Sequence, residues 1–120
     1  MAWGELSESD KSWIAGIYEG EGSISLNNKY ISIVLYNNDL SMLNEVQKLL
    51  GGKIYGRGNK RKPEWKPSYV LQIRKKEYVD NFIINILPFF RTDYKIIQFE
   101  GYILKAIENG AKYKLTKGGD

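Results

Sequence analysis

The sequence predicts an α+β fold, a four-stranded antiparallel sheet with helices packed on one face, in the order helix, hairpin, helix, hairpin, helix, helix. Two patterns carry that expectation: apolar residues recurring at helical spacing behind capping side chains, and paired runs of strict alternation joined by turn-forming residues. The third observation is size. A chain of 120 residues, 42% hydrophobic, 13% aromatic and 27% charged, makes one domain spanning 1–120 that can bury a modest core.

Each element follows from local chemistry. Ser7-Glu8-Ser9-Asp10 reads as a capping box that starts a helix carrying Trp13, Ile14, Ile17 and Tyr18 toward the core. Gly20-Glu21-Gly22 should end it through a left-handed exit. Ser23 to Asn27 and Tyr30 to Tyr36 alternate and should form a hairpin turning at Asn27-Asn28-Lys29. Asp39 caps a second helix bearing Leu40, Leu43, Val46, Leu49 and Leu50, which Gly51-Gly52 stops. A second hairpin should pair Lys53 to Arg57 with Ser68 to Arg74 across an exposed, mobile loop from Gly58 to Pro67. Val79, Phe82, Ile83, Ile86 and Leu87 make a third helix closed by Pro88. A fourth runs from Thr92 to Asn109 and ends at Gly110, with the last ten residues frayed.

Alternation sorts the strand residues onto two faces. Ile24, Leu26, Ile31, Ile33, Leu35, Ile54, Leu71 and Ile73 should face the helices. The opposite parity presents Ser23, Ser25, Asn27, Ser32, Val34, Tyr36, Lys53, Tyr55, Arg57, Ser68, Val70, Gln72 and Arg74, a mixture of hydrogen-bonding, cationic and aromatic groups. A two-stranded ribbon fits the DNA major groove, where such groups read base edges. A solvated antiparallel face is also polar. The charge distribution favours nucleic acid, because Lys53, Arg57, Lys60, Arg61, Lys62, Lys66, Arg74, Lys75 and Lys76 stand against the single acid Glu64 in that stretch, while the whole chain carries only +4.

Composition also excludes. There is no cysteine and no histidine, so disulfides, thiol nucleophiles, histidine triads and the common zinc, haem and iron–sulfur sites are out. Any catalysis must use carboxylates, lysines, water or a hard metal. No apolar run of about 18 residues and no leader-like opening is present, so the expected setting is intracellular and away from membranes, in a prokaryotic cytoplasm or an organelle.

The chemistry concentrates in Ile14-Ala15-Gly16-Ile17-Tyr18-Glu19-Gly20-Glu21-Gly22. Gly16 and Gly20 lie four apart on one helix face and admit a close second backbone. Two carboxylates follow at the helix C-terminus, where negative charge is unfavourable unless compensated, and a divalent cation such as Mg²⁺ is the obvious compensator.

This segment resembles the LAGLIDADG motif of the homing endonucleases. The likeness extends through Asn37-Asn38-Asp39, Leu50-Gly51-Gly52 and Ile86-Leu87-Pro88-Phe89, over about residues 9 to 110. The resemblance implies that Glu21 is the catalytic, metal-binding carboxylate and that Glu19 is structural. It implies that Gly16 and Gly20, with Trp13 and Ile17, pack against a second motif helix, which in a one-motif chain comes from a second copy, giving a homodimer. Asn38 or Asn37 matches the polar residue that organises water, and Lys95 is the nearest candidate for the family's lysine because Asp93 departs from the pattern. The outer strand positions would face the major groove, Arg57 suiting guanine and Gln72 adenine, while Lys60, Arg61, Lys62 and Lys66 would grip phosphates. The implied protein is an intron-encoded, Mg²⁺-dependent endonuclease making a staggered double-strand cut in a long, near-palindromic DNA target. The competing readings are an intron RNA maturase, a non-cleaving DNA-binding regulator on the same fold, and a monomeric RNA-binding domain that stacks bases on aromatic side chains.

Overall fold

Two side-chain caps start the first two helices. In the computed structural model, which describes residues 6–57 and 68–113, Ser7 Oγ accepts the Asp10 N–H at 3.0 Å and α1 runs Glu8–Glu21. Asp39 Oδ1 accepts the N–H groups of Ser41 and Met42 at 3.0 and 3.3 Å, and α2 runs Leu40–Leu50. Gly51 then turns the chain at φ 81°, a left-handed value that a side chain would strain.

The strands are β1 (Gly22–Asn27), β2 (Tyr30–Asn37), β3 (Lys53–Arg57) and β4 (Ser68–Ile73). The first hairpin turns at Asn28-Lys29, with Asn28 at φ 60°, which asparagine tolerates better than most residues. All neighbours are antiparallel in the order β1-β2-β4-β3, so each hairpin contributes one strand to the centre of the sheet. The register aligns Ser23, Val34, Gln72 and Lys53 in one rung across all four strands.

The expected α+β architecture is present, with α3 at Lys76–Asn85 and α4 at Asp93–Glu108 completing the helical layer. Ile24, Ile31, Ile33, Leu35, Leu71 and Ile73 are buried from the sheet side. They meet Ile14 and Tyr18 of α1, Leu43 and Val46 of α2, Phe82 and Ile83 of α3, and Phe99 and Ile103 of α4 in one cluster. Each such side chain contributes roughly 1.5–3 kcal/mol of burial, so the alternation sets both the sheet's orientation and much of its stability. Among the described residues, no helix is long and apolar enough to cross a membrane.

Several expectations are corrected by packing. Trp13 is 42% exposed, because the buried stripe of α1 is Ile14, Ala15 and Tyr18, and Trp13 lies just outside it. Gly22 has ordinary extended φ (−99°), so α1 needs no left-handed exit there. What demands glycine is space: a Cβ at Gly22 would stand 2.2 Å from the Tyr18 ring. Pro88 does not simply close α3; it sits inside a separate 3₁₀ turn, Leu87–Phe89. The start of the supposedly frayed tail is packed, since Tyr113 is buried and its hydroxyl accepts the Ile31 N–H at 3.0 Å. That bond satisfies β2 beyond Ile33, where its pairing with β4 begins. The expected mobile loop lies outside the described residues, as do the residues after Tyr113.

Gly22→Ala should destabilise the fold by about 1–3 kcal/mol through overpacking against Tyr18. Urea denaturation checks this, with Gly56→Ala as the control, because a Cβ there meets only ordinary contacts with Tyr69 at 3.6 and 3.7 Å.

Candidate functional site

The C-terminal turn of α1 is held from below and from one side. Tyr18 is fully buried and stacks on Phe90 at 5.0 Å, with Phe82 and Phe99 edge-on at 5.5 and 5.6 Å. Burial, and then Tyr102, push its hydroxyl well above the usual phenol range. The next residue, Glu19, turns the opposite way and accepts the backbone N–H groups of Arg91 and Thr92 at 2.9 and 2.6 Å. It thereby caps α4 from across the fold, where the Thr92 side chain makes no cap of its own. Partial burial raises the Glu19 carboxyl, but the hydrogen bonds from the Thr92 hydroxyl and the two N–H groups, with the Arg91 charge, outweigh it and hold the group below 4.5.

Glu21 is exposed at the end of α1. Its Oε2 lies 3.5 Å from Asn37 Nδ2. Asn37 Oδ1 also accepts the Asp39 N–H at 2.8 Å, so the side chain is tied to the start of α2 while facing the carboxylate. Of the two asparagines considered from sequence, Asn37 is the one beside Glu21; Asn38 is the exposed residue after it. Lys95, three residues into α4, donates to the Gly22 carbonyl at 3.2 Å and lies 5.5 Å from the Tyr18 ring centre. No basic residue lies in the last turn of α1, so Lys95 supplies positive charge to that helix end from another element.

On the solvent side of α1, an added Cβ at Gly16 or Gly20 would meet nothing within 4 Å. Trp13 is exposed on the same helix and Ile17 is half-buried. The small-residue face is therefore open along the length that a second helix would need.

The outer face of the sheet begins where that helix ends. Ser23, Ser25, Asn27, Tyr36, Lys53, Tyr55, Ser68 and Arg74 are exposed, and Ser32, Val34, Val70 and Gln72 are half-buried. Arg57 occupies the expected strand position, opposite Ser68. Lys60, Arg61, Lys62 and Lys66 lie outside the described residues. A groove of about 810 Å³ follows this face, with Ser25, Ser32, Lys53, Tyr55, Gln72 and Arg74 in its lining. Three further groups reach it that the sequence reading omitted. Tyr30 has the same strand parity as Ser32 and was legible from alternation; Lys75 and Tyr78 are brought there only by the start of α3. Lys75 Nζ lies 5.5 Å from the Tyr78 ring centre.

This chain belongs to the LAGLIDADG family: the family model described as a LAGLIDADG-like domain matches residues 8–86. No curated protein matches it. Among solved structures it is similar to the homing endonuclease I-CvuI in complex with its target in the presence of calcium, at 15% identity and a TM-score of 0.66, over 84% of this chain and 68% of that one. The homing endonuclease I-TnaI is similar at 20% identity and a TM-score of 0.55, over 85% and 72% of the two chains. I-LtrWI, a LAGLIDADG homing endonuclease bound to target DNA, matches at 18% identity and a TM-score of 0.54, over 86% of this chain and 37% of that one. The fold is thus that of the LAGLIDADG homing endonuclease domain.

Glu19→Ala should lower stability by about 1 kcal/mol through loss of the α4 cap, and Glu19→Gln by less, since an amide oxygen still accepts. The sign with pH follows from the lowered carboxyl: its contribution is present above 4.5 and is lost as pH falls through the lower folded value. Thermal melts of wild type and Glu19→Ala should therefore converge in acid, whereas a constant gap at all pH values would contradict the cap.

Proposed function

We propose that this protein is a homodimeric, divalent-metal-dependent DNA endonuclease, intron-encoded, which makes a staggered double-strand cut in a long, near-palindromic site. The observation that carries the reading is Glu21, an exposed carboxylate where the open glycine face of α1 meets the outer face of the sheet. Two copies joined through Gly16 and Gly20, with Trp13 and Ile17, would bring two Glu21 side chains together and extend two sheet faces along one duplex.

The residues present fit a hard cation. Glu21 offers carboxylate oxygens, one of them 3.5 Å from Asn37 Nδ2. Among the described residues there is no group of three or more metal-ligating side chains. One chain thus contributes one carboxylate, which suits Mg²⁺ shared with phosphate oxygens, water and the carboxylate of a second copy. When bound, such an ion supplies Lewis-acid activation of the scissile phosphate and of water. The chain's own residues do the positioning. Asn37, tied to α2, orients the Glu21 carboxylate, with Asn38 at the same bend. Lys95 places a cation beside Gly22, where developing negative charge on a phosphate is favoured. The outer sheet face enters the major groove, and the basic stretch around β3 and β4 contributes salt-sensitive affinity for the backbone.

Incubating the protein and Mg²⁺ with a DNA library that includes intron insertion sites, then sequencing the ends, tests this directly. Discrete staggered cuts that vanish with EDTA and in Glu21→Gln are expected, with DNA binding retained in that variant. Specific retention without cutting would instead mark a regulator. Retention of structured RNA, with no duplex held at low salt, would mark a maturase. Gly16→Leu should yield a monomer in sedimentation velocity, and a normal dimer would refute the placement of the interface.

A further inference from the structure

We infer that Val34 and Gln72 form a reading unit for an A·T base pair, with Ser32 as the residue that positions Gln72. The inference rests on the proposal that the outer sheet face enters the DNA major groove and names one feature of the sequence found there.

The geometry comes from the central strand pair. Val34 and Gln72 are directly opposite each other in the β2–β4 register, on neighbouring strands about 4.8 Å apart. Both are half-buried, so their tips and not their whole side chains face outward. Gln72 Nε2 donates to Ser32 Oγ at 3.3 Å. Ser32 precedes Val34 by two on the same strand and face, which makes it the diagonal neighbour of Gln72. The bond uses one N–H of the amide and limits its rotation. One N–H and the carbonyl oxygen remain, side by side.

That remainder matches one base edge. Adenine presents an acceptor at N7 beside a donor at N6, which a glutamine amide meets with its N–H and its C=O. Guanine presents two acceptors, N7 and O6, and a held amide would set its own oxygen against O6. A free glutamine can turn its NH₂ toward guanine, so the Ser32 bond converts tolerance into discrimination. The thymine paired to that adenine carries its methyl group further along the same edge. The next side chain in that direction across the rung is Val34, whose methyl groups suit a methyl contact and offer nothing to the amino group of cytosine. Donor, acceptor and apolar patch thus occur in the order in which an A·T pair displays their complements.

Selection of duplexes by the intact protein in Ca²⁺, followed by titration of a defined site carrying each base-pair replacement, tests the inference. The wild type should show one A·T position per half-site at which G·C binds on the order of tenfold more weakly. Gln72→Ala and Ser32→Ala should each flatten that preference, and Ser32→Thr, which keeps the hydroxyl, should restore it. Replacing the paired thymine with 2′-deoxyuridine should weaken wild-type binding a few-fold and leave Val34→Ser indifferent. Ser32→Ala weakening every duplex by one factor, or leaving the adenine preference intact, would overturn the positioning role. A wild type that selects a site whose profile Gln72→Ala does not change would overturn the reading unit alone. A wild type that retains no duplex would overturn the DNA reading as well.

Discussion

The aromatic box around Tyr18 is the constraint on which the rest depends. Its ring lies between Phe90 and the backbone of Gly22, against Phe82 and Phe99, so α1, α3, the 3₁₀ turn and α4 converge on one side chain. Among the described residues, none accepts a hydrogen bond from its buried hydroxyl. The burial of four aromatic rings outweighs that cost. Because Tyr18 is anchored, Glu19 and Glu21 leave the helix end in defined directions, one toward α4 and the other toward solvent beside Asn37.

The two carboxylates of the motif therefore have different physical roles despite being two residues apart. Glu19 is consumed by backbone N–H groups and is held in its ionised form by them. Glu21 keeps exposed oxygen, with a side-chain amide as its neighbour. Lys95 links the two, since the helix that Glu19 caps is the one that carries this lysine back to the Gly22 carbonyl. Capping, charge compensation at the end of α1 and the exposure of Glu21 thus form one connected arrangement.

The sheet divides its labour by parity. Its inner face is uniformly apolar and stabilises the domain, whereas its outer face carries hydroxyls, amides, tyrosines and cations over a rigid backbone. Side chains on central strands are held more closely than those on loops, which is why Ser32 and Gln72 can meet across the β2–β4 pair. The α4 helix shows the other extreme. Its outward side leaves Tyr94, Ile97 and Leu104 strongly exposed, while Phe99 and Ile103 fill the core.

Much of the fold was legible because it is written in local chemistry. Ser7 and Asp39 cap as their types dictate, Gly51 stops α2, and alternation separates Ile33 from Ser32 without any knowledge of partners. The motif itself, with its glycine face and paired carboxylates, could likewise be read along one helix. Tyr30 obeyed the same alternation and belonged with the outer face. Trp13 could not be placed with certainty by periodicity, because a helical stripe has an edge and only the opposing surface decides which side of it is buried.

By itself, then, the sequence determined the order of elements, the two faces of the sheet and the motif that marks the family. Only the tertiary structure decided that β2 and β4 share the centre, that Asn37 and not Asn38 stands beside Glu21, and that Gly22 serves space and not a positive φ. The physical reason is range. Caps, turns and periodicity act within a few residues, whereas the Glu19 cap of α4, the Lys95 bond to Gly22 and the Ser32–Gln72 contact join positions far apart in the chain, which meet only after the aromatic core has closed.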